Sequence, residues 1–318
     1  MLISPSEGEI TGEPGPDMAV DRCTLENFLR AAADWRADAL HSESMTWLYL
    51  VGLGFEVSGE QVFLLEDFGD GVGALLRNAI SVNNLVNGMA PSRERRGTAR
   101  TQWYFLDLRR ARPHEINELQ WQNTTATFDA DLPRIDDREA AIFYATEPGH
   151  EAYSRTSLFS DALLECLEGE AAVLFEDRWC VTSTSLARAL NRVLERKFKE
   201  LAPDFAQQNV TVAGSIRNGI ICYLEGPPLV DTSVEVDPPE AAEFSQIEVR
   251  SDFDKLVLAF GQADPYPFRA RLMAGIYEVR AVVAPTDLRY SSAARLVIIA
   301  PPHASLKINV AQKAAGSG

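Results

Sequence analysis

The stretch TQWYFLDL, residues 101–108, is a run of mostly apolar side chains without polar alternation. A strand that is apolar on both faces is typical of a parallel sheet, because helices cover both sides of such a sheet. Similar runs occur in MTWLYLV at 45–51 and in AAIFYAT at 140–146. The three runs predict buried strands of one mainly parallel sheet, and shorter runs predict further strands at 61–65 and 219–224.

Segments with helical periodicity lie between these runs. Thr24 is a suitable N-cap for a helix whose apolar face extends from Leu25 to Trp35, and another helix is expected near 71–87. The longest helical pattern covers residues 182–201 and ends before Pro203. Strands that alternate with helices predict an α/β domain whose sheet is covered on both faces.

The pattern changes after Gly226. Residues 226–243 contain four prolines and several acidic residues, which is typical of a linker. Beyond them, six short stretches have a period of two, which predicts a small all-β sandwich at 244–312. The first domain is therefore expected at 1–225, and residues 313–318 are expected to form a disordered tail.

Composition limits the partners and the compartment. The chain has 30 Lys and Arg against 46 Asp and Glu, so its formal net charge is −16, which argues against nucleic acid and anionic membrane as partners. No apolar stretch has the length of a bilayer span, and no signal peptide is recognised at the N-terminus. The four cysteines form no C-x-x-C pair and have no histidine at metal-ligand spacing. We expect a cytoplasmic protein without a metal or another cofactor.

Three segments of the first domain stand in a defined order. The first strand ends in Gly52-Leu53-Gly54, the second ends in Asp107-Leu108-Arg109-Arg110, and the third is the strand, loop and helix over residues 145–164. Together they resemble the caspase-like cysteine peptidases, most closely the bacterial ones. Residues 208–214 resemble a fourth segment of that family more weakly. The resemblance covers residues 20–225 and implies a three-layer α/β/α domain.

The resemblance fails at the two catalytic positions. In the family the first strand ends in Ser-Gly-His-Gly, which carries the catalytic His, and the second ends in Asp-Ala-Cys-Arg, which carries the nucleophile. Here Leu53 stands at the position of the His and Arg109 at that of the Cys. Leucine cannot move a proton, and arginine stays protonated and is no nucleophile. The resemblance therefore implies an inactive member of the family, with no catalytic residue.

Two features could still serve recognition. In Arg- and Lys-specific members, the residue matching Asp107 helps to bind the basic residue of the substrate, so Asp107 is a candidate for a residual basic-residue pocket; the alternative is that Arg109 or Arg110 neutralises it. The loop with Arg93, Arg95, Arg96 and Arg100 is either a solvated surface loop or a cleavage site for an active Arg-specific relative.

A relocated nucleophile is the main alternative. Cys166 and Cys222 lie at apolar positions and are interpreted as core residues. Cys180 precedes a helix and Cys23 follows Arg22, and both settings can lower a thiol pKa, but neither has a histidine beside it in sequence. A relocated cysteine nucleophile would also need a histidine as its base. We interpret the four histidines of the chain as surface or loop residues: His41, His114, His150 and His303.

Three hypotheses result. The first is an inactive caspase-like protein that acts as regulator, decoy or proteolytic substrate of an active caspase-like peptidase in a bacterial defence or cell-death pathway. The second is a cysteine endopeptidase with a relocated nucleophile, and the third is an adaptor that binds through the β-sandwich. The family has a strand, a helix and a second strand before the point where this chain begins. Either the domain is truncated, or residues 1–20 substitute for these elements, or a partner completes the sheet at an otherwise uncovered edge.

Overall fold

A computed structural model describes residues 3–4, 8–9, 19–41, 43–57, 59–70, 75–108, 110, 124–129, 136–147, 158–201, 209–251, 255–261, 264–284 and 289–313. The chain divides into two compact units. The first contains Met1–Ala162 and Leu190–Gly219, and the second contains Leu163–Ala189 and Ile220–Gly318. This division differs from the predicted boundary at residue 225, because residues 163–189 group with the C-terminal part of the chain.

The helices are α1 (Leu25–Asp38), α2 (Val82–Gly88), α3 (Leu158–Glu165) and α4 (Ser183–Leu201). The strands up to α4 are β1 (Ile3–Ser4), β2 (Gly8–Glu9), β3 (Ala19–Arg22), β4 (Met45–Gly52), β5 (Gly54–Val57), β6 (Glu60–Leu64), β7 (Ala79–Ser81), β8 (Thr101–Leu108), β9 (Glu139–Tyr144), β10 (Ala172–Phe175) and β11 (Arg178–Thr182). After α4 follow β12 (Thr211–Ser215), β13 (Ile220–Tyr223), β14 (Leu229–Asp237), β15 (Ser245–Ser251), β16 (Lys255–Phe260), β17 (Phe268–Met273), β18 (Gly275–Val283), β19 (Ala293–Ile299) and β20 (His303–Asn309). None of the helices in the described ranges has both the length and the apolar character needed to cross a membrane.

The main sheet of the first unit has the strand order β12-β9-β8-β4 in the described residues. The strands β4, β8 and β9 run parallel, and β12 is antiparallel to β9. These three parallel strands are the ones predicted at 45–51, 101–108 and 140–146. In β8, the side chains of Trp103, Tyr104, Phe105 and Leu106 are all buried, as predicted for a central strand.

The prediction that β4 is buried on both faces is wrong. Met45, Trp47, Tyr49 and Val51 are 41–58% exposed, whereas Leu50 on the opposite face is buried. The reason is position, because β4 is the edge strand of the sheet. An apolar run alone does not distinguish an edge strand from a central one.

The two faces of the main sheet have different neighbours. On one face, Phe28 and Ala32 of α1 and residues of α2 share a hydrophobic cluster with Tyr104 and Ile142. Thr24 caps α1 as predicted, since its side chain accepts a hydrogen bond from the Asn27 amide. On the other face, the buried rings of Phe105 and Phe143 stack with centroids 5.2 Å apart.

The helix predicted near 71–87 is only partly correct. Residues 71–74 lie outside the described residues, Leu75–Asn78 form a 3-10 turn, and Ala79–Ser81 form β7 before α2 begins. The Ser81 hydroxyl accepts a hydrogen bond from the Asn84 amide and caps α2. The predicted strand at 61–65 is β6, but it belongs to a separate antiparallel sheet, β5-β6-β7.

The second unit is built mainly from strands. Each of the six stretches predicted to be strands beyond residue 244 forms one, β15 to β20. The sheets β17-β14-β20 and β16-β15-β18-β19 contribute to one hydrophobic cluster, which includes Val234, Ile247, Val279, Ile299 and Ile308. A third sheet, β10-β11-β13, contains the strand predicted at 219–224, which therefore does not belong to the parallel sheet.

The predicted linker at 226–243 is wrong. Its residues 229–237 form β14, the middle strand of a sheet, and Pro239–Phe244 form a 3-10 helix. Val230, Val234 and Val236 are buried, so the segment has the alternation of a half-buried strand. The prolines lie on both sides of this strand and not within it. They led to the interpretation as a linker, although the apolar side chains of the strand alternate with a period of two.

The outer face of the four-stranded sheet carries an alternating set of charges. Glu248 and Arg250 of β15 lie opposite Arg280 and Glu278 of β18, respectively. Each acid also forms an ion pair with the arginine on its own strand. Opposite charges that face each other across neighbouring strands stabilise the pairing of the strands.

Candidate functional site

The candidate site lies at the carboxyl ends of the parallel strands. Gly52 at the end of β4 pairs in register with Leu108 at the end of β8, and Leu106 pairs with Tyr144 at the end of β9. Open parallel sheets bind ligands at this edge. The residues that carry the family resemblance therefore converge on one edge, although they are separated in sequence.

Leu53 follows β4 directly and exposes 57% of its side chain. Its carbonyl accepts a hydrogen bond of 3.0 Å from the Leu64 amide, which joins the end of β4 to β6. The hydrocarbon side chain offers no group that could accept or donate a proton. Arg109, at the position of the family nucleophile, lies outside the described residues.

Asp107 is almost fully buried in β8. The Tyr49 hydroxyl donates a hydrogen bond of 3.3 Å to Asp107 Oδ2, and Val51 occupies the paired position on β4. A pocket for the arginine of a bound peptide needs a carboxylate that the peptide can reach. The burial of Asp107 thus favours an internal role, and its proposed role as a basic-residue pocket stays a prediction.

Arg110 contacts residues from several of the segments that meet at this edge. Its Nη2 lies 3.6 Å from Oε2 of Glu56, and its Cζ lies 4.3 Å from the centroid of the Tyr144 ring. Its Nη1 donates hydrogen bonds to the Thr146 carbonyl at 3.3 Å and to the Thr211 hydroxyl at 3.2 Å. The arginine that the sequence suggested as a neutralising partner of Asp107 therefore forms its ion pair with Glu56.

Glu56 also lies at this edge of the sheet, and the sequence did not single it out. It lies in β5, and only 4% of its side chain and 12% of that of Arg110 are exposed. A lone acid in FEVSG gives no signal in the sequence, because its partner follows 54 residues later. Burial raises the pKa of the Tyr144 hydroxyl, Arg110 acts in the opposite direction, and Glu56 adds to the increase.

The fourth family-like segment also reaches this edge. Because β12 is antiparallel to β9, its first residue, Thr211, pairs with Tyr144. Asn209 donates a hydrogen bond of 3.1 Å to Glu147, which follows β9. Asn191 of α4 binds the backbone of Val210 through both its amide nitrogen and its oxygen. Residues 209–214 therefore border the carboxyl ends of the parallel strands, although the sequence did not predict a strand here.

The surroundings of the cysteines, all four of which lie in the described residues, disfavour a thiolate. Cys166 and Cys180 are fully buried, and burial raises the pKa of the thiols of Cys180 and Cys222. Burial, with Glu66 and Asp67 nearby, raises the pKa of Cys23 to about 11. Arg22, which could have favoured a thiolate, instead donates to Glu66 at 3.0 Å. These observations support the interpretation of the thiols as structural.

Two of the four histidines lie in the described residues. His41 lies in the loop before β4, whereas His303 begins β20 and is not a loop residue as predicted. His114 and His150 lie outside the described residues. In the ranges that the structure describes, no group of three or more His, Cys, Asp and Glu is placed to hold a metal ion.

The arginine-rich loop is tied to itself by hydrogen bonds. The Ser92 hydroxyl accepts from the Arg95 amide at 3.0 Å, and the Thr98 hydroxyl donates to the Arg95 carbonyl at 2.9 Å. Arg100 pairs with Asp137 at 3.0 Å and is partly buried. Arg93 and Arg96 are exposed and are the best candidates for recognition by a peptidase.

Comparison with known proteins adds no relative. A scan against protein-family models finds no matching family, and a search of curated proteins finds no matching sequence. The assignment of function therefore depends on the residues and on their arrangement.

Proposed function

We propose that this chain is a catalytically inactive caspase-like protein that works by binding. It acts as regulator, decoy or proteolytic substrate of an active caspase-like peptidase in a bacterial defence or cell-death pathway. The observation that carries the proposal is the exposed Leu53 side chain at the carboxyl end of β4, where the resemblance requires an imidazole. The bacterial pathway follows from the resemblance alone.

The strand arrangement supports the proposal. The resemblance implies that the catalytic His and Cys follow two different strands and act on the same substrate. The corresponding strands β4 and β8 are parallel neighbours, and Gly52 and Leu108 are paired at their ends. Loss of either group costs several orders of magnitude in rate, so Leu53 and Arg109 together are incompatible with the family's chemistry.

The buried thiols also favour a binding role. A relocated nucleophile needs a thiolate that a peptide carbonyl can reach. Cys166 and Cys180 are fully buried, and the pKa of Cys23 is raised to about 11. The guanidinium of Arg110, in turn, contacts internal partners, Glu56 and the Tyr144 ring.

The first experiment is peptide hydrolysis. The purified chain is incubated with fluorogenic peptides that end in Arg or Lys, with and without calcium, beside its Cys166→Ala and Cys180→Ala variants. We expect no turnover above the buffer control in any of the three. Turnover that either substitution abolishes would show a rebuilt active site and would refute the proposal.

The second experiment tests whether the chain inhibits an active caspase-like peptidase or is cleaved by it. An Arg-specific caspase-like peptidase is assayed with increasing amounts of the chain, and the chain is analysed for cleavage by mass spectrometry. Slower turnover of the peptide indicates a regulator or decoy, and a cut after Arg93 or Arg96 indicates a substrate. The double variant Arg93→Ala/Arg96→Ala removes the cut, whereas Arg271→Ala, at an exposed strand position, leaves it unchanged.

An adaptor function is the second candidate, and one feature of the second unit favours it. Ile276, Leu296 and Ile298 are 55–74% exposed. They lie on adjacent strands, since Ile276 pairs with Ile298 across β18 and β19. Exposed contiguous apolar patches mark interaction sites. Partner capture that survives Leu53 and Arg110 variants but is lost in Ile298→Lys would favour this function.

A further inference from the structure

The outer edge of β4, which ends the main sheet in the described residues, is the strongest unassigned surface of the first unit. In the described residues, β8 is the strand that pairs with β4, and β4 ends the sheet. The outer edge of such a strand presents backbone N–H and C=O groups that can template another strand. We propose that two copies of this chain associate by antiparallel pairing of their β4 strands about a two-fold axis at Leu48. This proposal is independent of the proposed function.

The exposed face of β4 supports an association at this place. Trp47 and Tyr49 lie on the same face as Phe105, and the Trp47 and Phe105 ring centroids are 5.3 Å apart. Phe105 is fully buried, but Trp47 and Tyr49 are each 41% exposed. Each of these two rings therefore keeps a partly exposed surface. A second sheet that continues the first would shield both rings.

The order of side chains in β4 is complementary to itself. Residues that oppose each other in an antiparallel pair share one face of the sheet. With the axis at Leu48, Trp47 faces Tyr49 of the second copy, and Met45 faces Val51. Aromatic pairs and apolar pairs across strands stabilise a sheet. Both of these pairs lie inside β4, and the two-fold axis makes each of them occur twice.

Charge selects a second copy over a basic partner. Residues 44–55 contain no charged side chain, although the chain has a formal net charge of −16. In the proposed register, the nearest acid, Glu43, faces Leu53 of the second copy, so no acid opposes an acid. A basic segment would find no carboxylate on β4 to pair with. The general repulsion between two acidic chains is screened by salt, so salt strengthens this dimer.

The first test is the mass of the intact chain in solution. Sedimentation velocity over a wide range of concentrations, at low and high sodium chloride, should show a monomer–dimer equilibrium whose Kd falls several-fold with salt. Trp47→Lys and Val51→Lys should each raise the Kd at least tenfold, because each places two lysines in the paired region. Leu256→Lys is the matched control, since this leucine of β16 is also 50% exposed. Circular dichroism verifies that each variant is folded.

The second test reads the register. With the axis at Leu48, the two Leu48→Cys residues are within the Cα distance of a disulfide, roughly 4.4–6.8 Å. Two Met45→Cys residues would be separated by roughly 20 Å. Mild oxidation should therefore cross-link Leu48→Cys and leave Met45→Cys and the unsubstituted chain uncross-linked.

Three results would overturn the proposal. The first is a chain that stays monomeric at all concentrations and salt conditions. The second is a dimer that neither lysine substitution in β4 weakens, which would place the interface elsewhere. The third is a cross-link at position 45 or at neither position, which would exclude pairing about Leu48.

Discussion

Arg110 Nη2 lies 3.6 Å from Oε2 of Glu56, and this ion pair joins the segment after β8 to β5, the strand that follows β4. Both side chains are largely buried. The segments that follow the two strands therefore meet around an internal ion pair, and this edge contributes to the stability of the fold.

The first prediction concerns this ion pair. Glu56→Gln removes the charge opposite Arg110, and loss of one partner of a buried pair costs about 3–5 kcal/mol. Arg110→Met should cost a similar amount. The double variant Glu56→Leu/Arg110→Met should recover much of the loss, since it leaves no unpaired buried charge. Urea unfolding followed by tryptophan fluorescence measures each change.

A matched control comes from an exposed pair. Asp231 and Arg271 are 3.3 Å apart, with side chains 56% and 68% exposed. Asp231→Asn should change the free energy of unfolding by less than about 1 kcal/mol. Equal effects at Glu56 and Asp231 would show that the Glu56 pair is not buried in solution.

The second prediction concerns the Cys23 thiol, whose pKa is raised from 9.0 to about 11. At pH 9 the folded chain should hold about one per cent thiolate at this position, against about half in unfolded chains. Alkylation by iodoacetamide, followed peptide by peptide with mass spectrometry, should therefore be at least about fiftyfold slower in the folded chain. Fast labelling of folded Cys23 would contradict its burial.

The same shift predicts the direction of a pH dependence. The folded pKa lies above the unfolded value, so the stabilising contribution of Cys23 is complete below pH 9. It is lost as the pH rises from 9 through 11. Cys23→Ala should remove this component, so the difference in unfolding free energy between the two chains should change in that interval.

The third prediction concerns Gly219. Its amide donates to Glu139 at 2.9 and 3.0 Å, and a Cβ at this position would collide with the Glu139 carboxylate. The Arg217 amide donates to the same carboxylate at 2.9 Å, so Glu139 holds the backbone that follows β12. Gly219→Ala should lower the free energy of unfolding by about 1–3 kcal/mol.

Gly226→Ala is the control for Gly219, because a Cβ at Gly226 meets nothing within 4 Å. This substitution should be neutral or slightly stabilising, since alanine reduces the conformational freedom of the unfolded chain. A loss of stability in Gly226→Ala as large as in Gly219→Ala would argue that the Glu139 contact is not responsible.

The fourth prediction concerns the charges on the outer face of the four-stranded sheet. Glu278→Lys places a cation opposite Arg250 and should lower the free energy of unfolding by about 0.5–1 kcal/mol at low salt. The added substitution Arg250→Glu should restore much of the loss, because the pair is then reversed. High salt should reduce both effects. No recovery in the double variant would mean that the two strands do not share this register.

Much of the local structure could be predicted from the sequence. The capped helix α1, the central strands β8 and β9, and the strands β15 to β20 each carry their own period of apolar side chains. Such periods depend on which face a residue turns inward, and this is a local property of helices and strands. The parallel relationship of β4, β8 and β9 also followed, because the sequence predicts helical segments between them.

The predictions failed where structure depends on distant pairing. β14 was hidden among prolines and acids, and its place between β17 and β20 depends on residues at 268–273 and 303–309. The segment 75–88 changes from a 3-10 turn to a strand and then to a helix because Ala79–Ser81 pair with β6. The local sequence pattern of a segment does not indicate which distant strand it pairs with.

The sequence by itself determined what two side chains can do, because at any geometry Leu53 moves no proton and Arg109 is no nucleophile. It also determined the amphipathic faces of most elements. Only the tertiary structure decided that Arg110 pairs with Glu56, that Asp107 is buried beside Tyr49, and that β4 lies at an edge. The physical reason is that ion pairs and sheet edges are relationships between residues far apart in the chain, which exist only when folding brings them together.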